Sequence, residues 1–143
     1  MSAIVGVLSD RRLVRLCQLV IGLVLLVAAM TKIGDAADFA TQIHHYRLLP
    51  FGLENLAAIA LPWIELVVAV VMLLGIEPRA GALASAGLMA LFFLVVGAAV
   101  ARGLDIECGC FGTADASHVG IAKLLENTGL LAVAVVGALK PRE

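Results

Sequence analysis

Charged residues, aromatic residues and cysteines are all scarce in this sequence. Only 15% of the 143 residues are charged and the net charge is -1, so there is no excess of positive charge to bind nucleic-acid phosphates. Aromatic residues make up 5% of the chain, which leaves few for the membrane interfaces. The three cysteines are too few for the disulfide framework of a small secreted domain. These absences exclude a nucleic-acid-binding protein and a disulfide-scaffold protein.

Apolar residues, by contrast, are in large excess. They make up 62% of the chain and the mean hydropathy is +1.07, whereas an ordinary soluble domain is about 45–50% apolar. The interior of so short a chain cannot absorb this excess, so lipid must surround much of the surface. We therefore expect a single all-α membrane domain over residues 1–143, folded as a four-transmembrane-helix bundle.

Four apolar runs are each long enough for the roughly 20 residues that a spanning helix needs. They are residues 13–33, 56–76, 80–101 and 119–139. The last run is the weakest because Lys123, Glu126 and Asn127 lie in its first half. We expect Lys123 and Glu126 to pair on one helix face and Asn127 to form an interhelical hydrogen bond. The alternative is three spans and a re-entrant segment.

Lysine and arginine in the short loops predict the orientation. The side that holds both termini carries six of these residues and the other side carries four, which favours cytoplasmic termini in a multi-pass membrane protein. The first run resembles a signal peptide because arginines precede it. However, it continues to Ile33 and its removal would leave three spans, so we expect it to be retained. Residues 34–55 and 102–118 then face the periplasm or the cell exterior.

The first of these outer loops contains an amphipathic segment. Within residues 38–49, Phe39, Ile43 and Tyr46 follow a helical stripe, whereas Gln42 lies off it. We expect a short amphipathic helix that either lies on the membrane or caps the bundle.

The sharpest chemical feature is Cys108-Gly109-Cys110 in the second outer loop. A glycine between two thiols allows the tight turn that a bond between them requires. A disulfide closing so short a loop constrains little chain entropy, so thiol–disulfide exchange is favoured over a static staple. A soft-metal site is a further alternative because paired thiolates bind such ions, but no additional thiol lies nearby and we expect no metal.

Glu65 is a second candidate because it lies near the middle of the second span. An ionisable residue inside a membrane is costly and often functional. Glu65 could instead be a structural partner of Lys32 or Lys123, or be neutral through protonation. We treat Glu65 and Lys32 as a possible intramembrane polar site. Cys17 lies in the first span, a membrane thickness from Cys108, and is expected to be a small apolar packing residue.

Five strings distributed along the chain form a recognisable set. They are Lys32 followed by Phe39, Tyr46-Arg47-Leu48-Leu49-Pro50, Leu61-Pro62-Trp63-Ile64-Glu65, Arg102-Gly103, and Cys108-Gly109-Cys110-Phe111-Gly112. This set resembles the methylamine-utilisation MauE family within the DoxX-like membrane proteins, and the resemblance covers nearly the whole chain.

The resemblance implies an inner-membrane protein linked to thiol–disulfide chemistry. Members of that family are needed for maturation of the disulfide-rich small subunit of methylamine dehydrogenase, usually with a thioredoxin-like companion. Our leading hypothesis is that Cys108 and Cys110 are catalytic, form a disulfide and exchange it with a periplasmic thioredoxin-like protein that serves a disulfide-containing client. Electrons would then pass to a quinone, by analogy with other four-helix thiol oxidoreductases.

Two other functions remain open from the sequence. One is a small-molecule or soft-metal transporter in which Glu65 lines a polar path and the thiols capture an ion. The other is a non-catalytic assembly factor that holds a partner through the amphipathic helix, with Phe39 and Tyr46 as contacts. Whether the protein is an enzyme, a membrane thiol–disulfide oxidoreductase, depends on which of the three is right.

Overall fold

The computed structural model describes residues 1–110 and 117–141, and this part of the chain is almost entirely helical. The helices are α1 (Ser2–Leu8), α2 (Arg11–Gly34), α3 (Ala36–His45), α4 (Leu53–Leu74), α5 (Pro78–Ala101) and α6 (Ile121–Ala138). Phe111 and Gly112 of the cysteine motif lie outside the described residues.

The four predicted spans are confirmed as α2, α4, α5 and α6. These helices contain 24, 22, 24 and 18 residues and are long and apolar enough to cross a membrane. The fourth is a continuous helix despite its polar residues, so the re-entrant alternative is wrong. The chain is therefore a multi-pass membrane protein.

The four spans pack as a ring. Helix α2 lies between α4 and α6, and α5 lies between the same two helices on the opposite side. The apolar interior is contributed by all four: Ile21, Leu25, Val68, Ala69, Met72, Ala82, Met89 and Ala134. Large apolar side chains also point outwards, among them Leu23, Val67 and Leu94, as expected of helices surrounded by lipid.

Helix α1 is not predicted by the sequence reading. It ends at Leu8, two residues before Asp10. The Asp10 carboxylate accepts hydrogen bonds from the backbone N–H groups of Arg12 at 2.9 Å and Leu13 at 3.4 Å. An aspartate in this position satisfies the free N–H groups at the start of a helix. Asp10 is therefore the N-cap of α2 and marks the break between α1 and α2. Residue composition alone does not reveal this break.

One end of the ring is held together by polar contacts to helix ends. Arg15 donates to the carbonyls of Met72 at 3.0 Å and Leu73 at 3.3 Å, and Gln18 donates to the carbonyl of Gly137 at 2.8 Å. Carbonyls in the last turn of a helix lack partners within it. Arg15 and Gln18 of α2 thus tie down the ends of α4 and α6.

Helix α3 caps the other end of the bundle. Phe39 and Tyr46 are only 5% and 6% exposed, and Phe39 packs with Ala58 of α4. The predicted amphipathic helix is therefore present, and of the two arrangements it caps the bundle. It runs over Ala36–His45 rather than 38–49, because Arg47 has φ +52° and a left-handed residue ends a helix.

Candidate functional site

The two arms of the loop between α5 and α6 pair with each other. We call residues 104–110 and 117–120 the cysteine loop. The N–H of Cys108 donates to the carbonyl of Ser117 at 2.9 Å, and the N–H of Val119 donates to that of Ile106 at 2.8 Å. These bonds satisfy backbone groups that would otherwise be left unpaired near the membrane, so the loop has a defined shape where the cysteines lie.

Cys108 and Cys110 are brought together by the turn at Gly109. Their sulfur atoms are in contact and their Cα atoms are 5.5 Å apart, a separation that permits a disulfide. Gly109 has φ +70°, a conformation that residues with a Cβ rarely adopt. Cys108 is 3% exposed, whereas Cys110 is half-buried. An attacking group from outside would therefore reach Cys110 more readily.

Helix α3 and the end of α5 hold the cysteine loop in place. The Tyr46 hydroxyl donates to the carbonyl of Cys108 at 2.5 Å, and the Arg102 guanidinium donates to the carbonyl of Tyr46 at 2.6 Å. Burial raises the pKa of Tyr46 to about 12, so the hydroxyl keeps its proton and remains a donor. Two strings that are distant in the sequence, around Tyr46 and at Arg102-Gly103, thus meet at the cysteines.

Gln42 is a site residue that the sequence reading missed. It was placed off the apolar stripe of α3, but it is 4% exposed. Its amide oxygen lies 2.7 Å from the position that a Cβ on Gly109 would occupy, and its amide nitrogen donates to the Glu107 carboxylate at 3.4 Å. Since Gln42 is three residues after Phe39, helical spacing alone could have placed both on one face.

The histidines lie outside this buried contact. His118 and Asp105 are exposed and hydrogen-bonded at 2.7 Å, and that hydrogen bond raises the pKa of His118 above its ordinary value. His44 contacts Glu54 at 3.0 Å. Within the described ranges no three His, Cys, Asp or Glu side chains are grouped as a metal site would require.

The buried ion pair between Lys32 and Glu65 is the second polar feature of the bundle. The Lys32 ammonium lies 2.8 and 3.1 Å from the two carboxylate oxygens, and neither side chain is exposed. The rings of Phe39 and Phe92 lie 5.2 and 4.8 Å from the ammonium, within range of cation–π attraction. Lys32 is therefore the partner of Glu65. A polar path through Glu65 would require this pair to separate.

The other polar groups of the fourth span behave differently from one another. Lys123 and Glu126 pair at 3.0 Å, as predicted. Asn127 is 4% exposed, and its amide nitrogen has no hydrogen-bond partner among the described residues. The amide nitrogen therefore does not make the interhelical hydrogen bond that the sequence predicts for Asn127.

A crevice between α2, α5 and α6 lies beside Cys110. Apart from Cys110 and Asn127, its lining is apolar: Val24, Leu25, Ala28, Met89, Phe92 and Leu130. Its volume is about 10 Å³, roughly the space of one water molecule. A quinone ring does not fit there with the side chains in this arrangement.

Fold and site together define a four-span membrane protein with a thiol pair presented at one end of the bundle. Over residues 10–140 the chain matches the family model described as "Methylamine utilisation protein MauE". The chain belongs to the MauE family. No solved structure gives a significant match to it.

Three relatives are each described as "Methylamine utilization protein MauE". The protein of Methylorubrum extorquens is 36% identical over 90 residues, 62% of this chain and 48% of the relative. That of Methylophilus methylotrophus is 30% identical over 140 residues, 96% of this chain and 74% of the relative. That of Paracoccus denitrificans is 29% identical over 116 residues, 80% and 62% respectively. The match to the first relative thus spans about half of its length.

Proposed function

We propose that this protein is a membrane thiol–disulfide redox protein in which Cys108 and Cys110 alternate between dithiol and disulfide. The observation that carries the proposal is the unequal exposure of the two cysteines in a turn held by α3 and α5. A static staple would gain nothing from leaving one cysteine partly exposed, whereas exchange requires a partner thiolate to reach a sulfur atom.

The difference in exposure assigns a role to each cysteine. A partner thiolate attacks the sulfur of half-buried Cys110, and the bond to Cys108 breaks, leaving Cys108 as the thiolate that takes up a proton. A second thiolate of the partner then attacks the partner's own sulfur in the mixed disulfide and releases Cys110. The partner's dithiol is oxidised and the cysteine pair is reduced, with two electrons transferred.

The partner and client follow from family membership as a proposal. The relatives are described as methylamine utilisation proteins, and we propose a role in the same pathway. The client would be the disulfide-rich small subunit of methylamine dehydrogenase, with a thioredoxin-like protein as the exchange partner. The loop charges favour cytoplasmic termini, which would put the cysteine loop on the periplasmic side of the inner membrane, where disulfides persist. A quinone is the proposed electron acceptor, bound outside the small crevice beside Cys110.

Trapping of a mixed disulfide tests the assignment. In a Cys17→Ala background, Cys108→Ser leaves only the accessible Cys110, and Cys110→Ser leaves only buried Cys108. With a thioredoxin-like partner lacking its second cysteine, Cys108→Ser should accumulate the mixed disulfide and Cys110→Ser should accumulate far less.

Client maturation provides the second measurement. The variant with both Cys108 and Cys110 changed to serine should fail to support disulfide formation in the client, although it is still inserted in the membrane. Normal maturation with both thiols absent would refute the redox function and favour the assembly-factor alternative. That alternative could not use Phe39 and Tyr46 as a docking surface, since both are buried.

A further inference from the structure

Two buried polar atoms without partners among the described residues lie near the cysteine turn. One is the amide oxygen of Gln42 and the other is the amide nitrogen of Asn127, and both lack a hydrogen bond in the described part of the chain. Each residue is only 4% exposed. Buried polar groups are normally satisfied, and those that are not call for an explanation. One is an acceptor and the other a donor.

The amide oxygen of Gln42 is directed at the turn by its own nitrogen. That nitrogen donates to the Glu107 carboxylate at 3.4 Å. If the Gln42 amide were turned by 180°, its oxygen would face the carboxylate oxygen and no hydrogen bond could form. The oxygen then lies 2.7 Å from where a Cβ on Gly109 would be. An acceptor is therefore held against the backbone that joins the two cysteines.

Asn127 lies near Cys110, in the crevice between α2, α5 and α6. Asn127 and Cys110 line the same crevice, and the remaining lining is apolar. Among the described residues of that lining no other polar side chain competes for the amide N–H, and the low polarity of these surroundings strengthens any hydrogen bond made there.

We propose that both atoms find their partners when the disulfide is reduced: Asn127 donates to the thiolate of Cys110, and Gln42 accepts from the thiol of Cys108. The inference rests on the proposed redox function and adds to it. Reduction by the partner dithiol breaks the sulfur–sulfur bond, adds two electrons and one proton, and leaves one thiolate and one thiol. The oxidised pair offers neither a charged acceptor nor a donor, so both amide atoms are unpaired in that state.

The two residues therefore favour the reduced pair and keep Cys110 reactive. A thiolate that accepts a hydrogen bond is formed at lower pH. A donor next to the Cys110 sulfur also stabilises it as the leaving group when the partner is released. Both effects act on the sulfur that exchanges.

Asn127→Leu tests the first contact. The rate of alkylation of Cys110 is measured against pH in a Cys17→Ala, Cys108→Ser protein in detergent. Loss of a hydrogen bond to a charged sulfur should raise the apparent pKa by about one unit and slow the reaction at pH 7 by about tenfold. Asn127→Asp should slow it further because a carboxylate repels the thiolate. Thr128→Ala, at the neighbouring exposed position, should leave the profile unchanged.

Gln42→Met tests the second contact with a side chain of similar length and no strong acceptor. Equilibration of the Cys108–Cys110 pair with glutathione, read by thiol-specific mass tags, should shift towards the disulfide by about three- to tenfold, up to roughly 30 mV. Thr41→Ala on the exposed side of α3 is the control.

The outcomes separate this inference from the function on which it rests. If the wild-type pair equilibrates with glutathione but neither the Asn127 nor the Gln42 variants move the pH profile or the equilibrium, the amide contacts are refuted and the redox function stands. If the wild-type pair forms no disulfide at any glutathione ratio, the redox function itself is refuted.

Discussion

Breaking the buried pair of Lys32 and Glu65 should strongly destabilise the bundle, whereas replacing both residues should not. Both side chains are fully buried, and the ammonium contacts both carboxylate oxygens at 2.8 and 3.1 Å. Removal of one partner leaves a buried charge with no opposite charge, which typically costs about 3–5 kcal/mol. That is a large part of the roughly 5–15 kcal/mol by which domains are stable.

Four proteins measured side by side form a double-mutant cycle: wild type, Lys32→Met, Glu65→Leu and the double variant. Each is unfolded by heat or denaturant in the same detergent. The single variants should each lose about 3–5 kcal/mol. The double variant should return to within about 1–2 kcal/mol of wild type, because apolar residues of similar volume avoid the cost of desolvating two charges.

Asp105→Ala is the matched control for Lys32 and Glu65. Asp105 pairs with His118, but both side chains are exposed, Asp105 by 87%, so the loss should stay below about 1 kcal/mol. If the single variants at Lys32 and Glu65 also cost no more than this, and the double variant shows no recovery, then the two residues do not form a charged pair in the folded protein. A stable double variant that fails to mature the client would indicate a functional role besides packing.

Three other changes probe the cysteine loop. Tyr46→Phe leaves the buried carbonyl of Cys108 without its donor and should lower the unfolding free energy by about 1–3 kcal/mol. It should also accelerate alkylation of the cysteines. An unchanged alkylation rate would contradict the role of Tyr46 in holding the loop. Gly109→Ala should lower the unfolding midpoint more than Gly103→Ala. Both glycines have positive φ, but of the two only Gly109 lies where an added Cβ would meet another side chain. Equal unfolding midpoints would argue against that contact. The pKa of His118 is raised by Asp105 from its ordinary 6.5, so the pair's stabilisation is complete below about pH 6.5 and is lost as the pH rises through the higher folded value. Asp105→Asn should abolish this small, salt-sensitive dependence of the unfolding midpoint.

The spans could be predicted because hydropathy depends only on local composition. Their ends differ from prediction by a few residues, since caps such as Asp10 and left-handed residues such as Arg47 decide where a helix begins and stops. The pairing of Lys32 with Glu65 was among the alternatives because a charge within a membrane needs a partner. Its selection over Lys123 depends on which helices are neighbours, which only the fold reveals.

The surroundings of the cysteines could not be predicted in the same way. Tyr46 and Cys108 are 62 residues apart in the chain, and Gln42 and Glu107 are 65 apart. No periodicity connects such positions, and a glutamine beside an apolar stripe reads as solvent-exposed. The thiols themselves are evident from Cys108-Gly109-Cys110, but the unequal exposure of the two cysteines depends on how distant parts of the chain pack around the turn.

Helix α3 links the ion pair to the thiols, and this makes stability and reactivity interdependent. Phe39 lies over the Lys32 ammonium, Gln42 lies against Gly109, and Tyr46 donates to the cysteine loop, so one helical face of α3 contacts both features. A variant that breaks the pair leaves one buried charge without its counter-charge close to Phe39, and this should loosen the helix that covers the turn. Cysteine alkylation should therefore accelerate in the single variants and return towards the wild-type rate in the double variant. If the alkylation rate is the same in the wild type, the two single variants and the double variant, α3 is held in place by the cysteine loop alone.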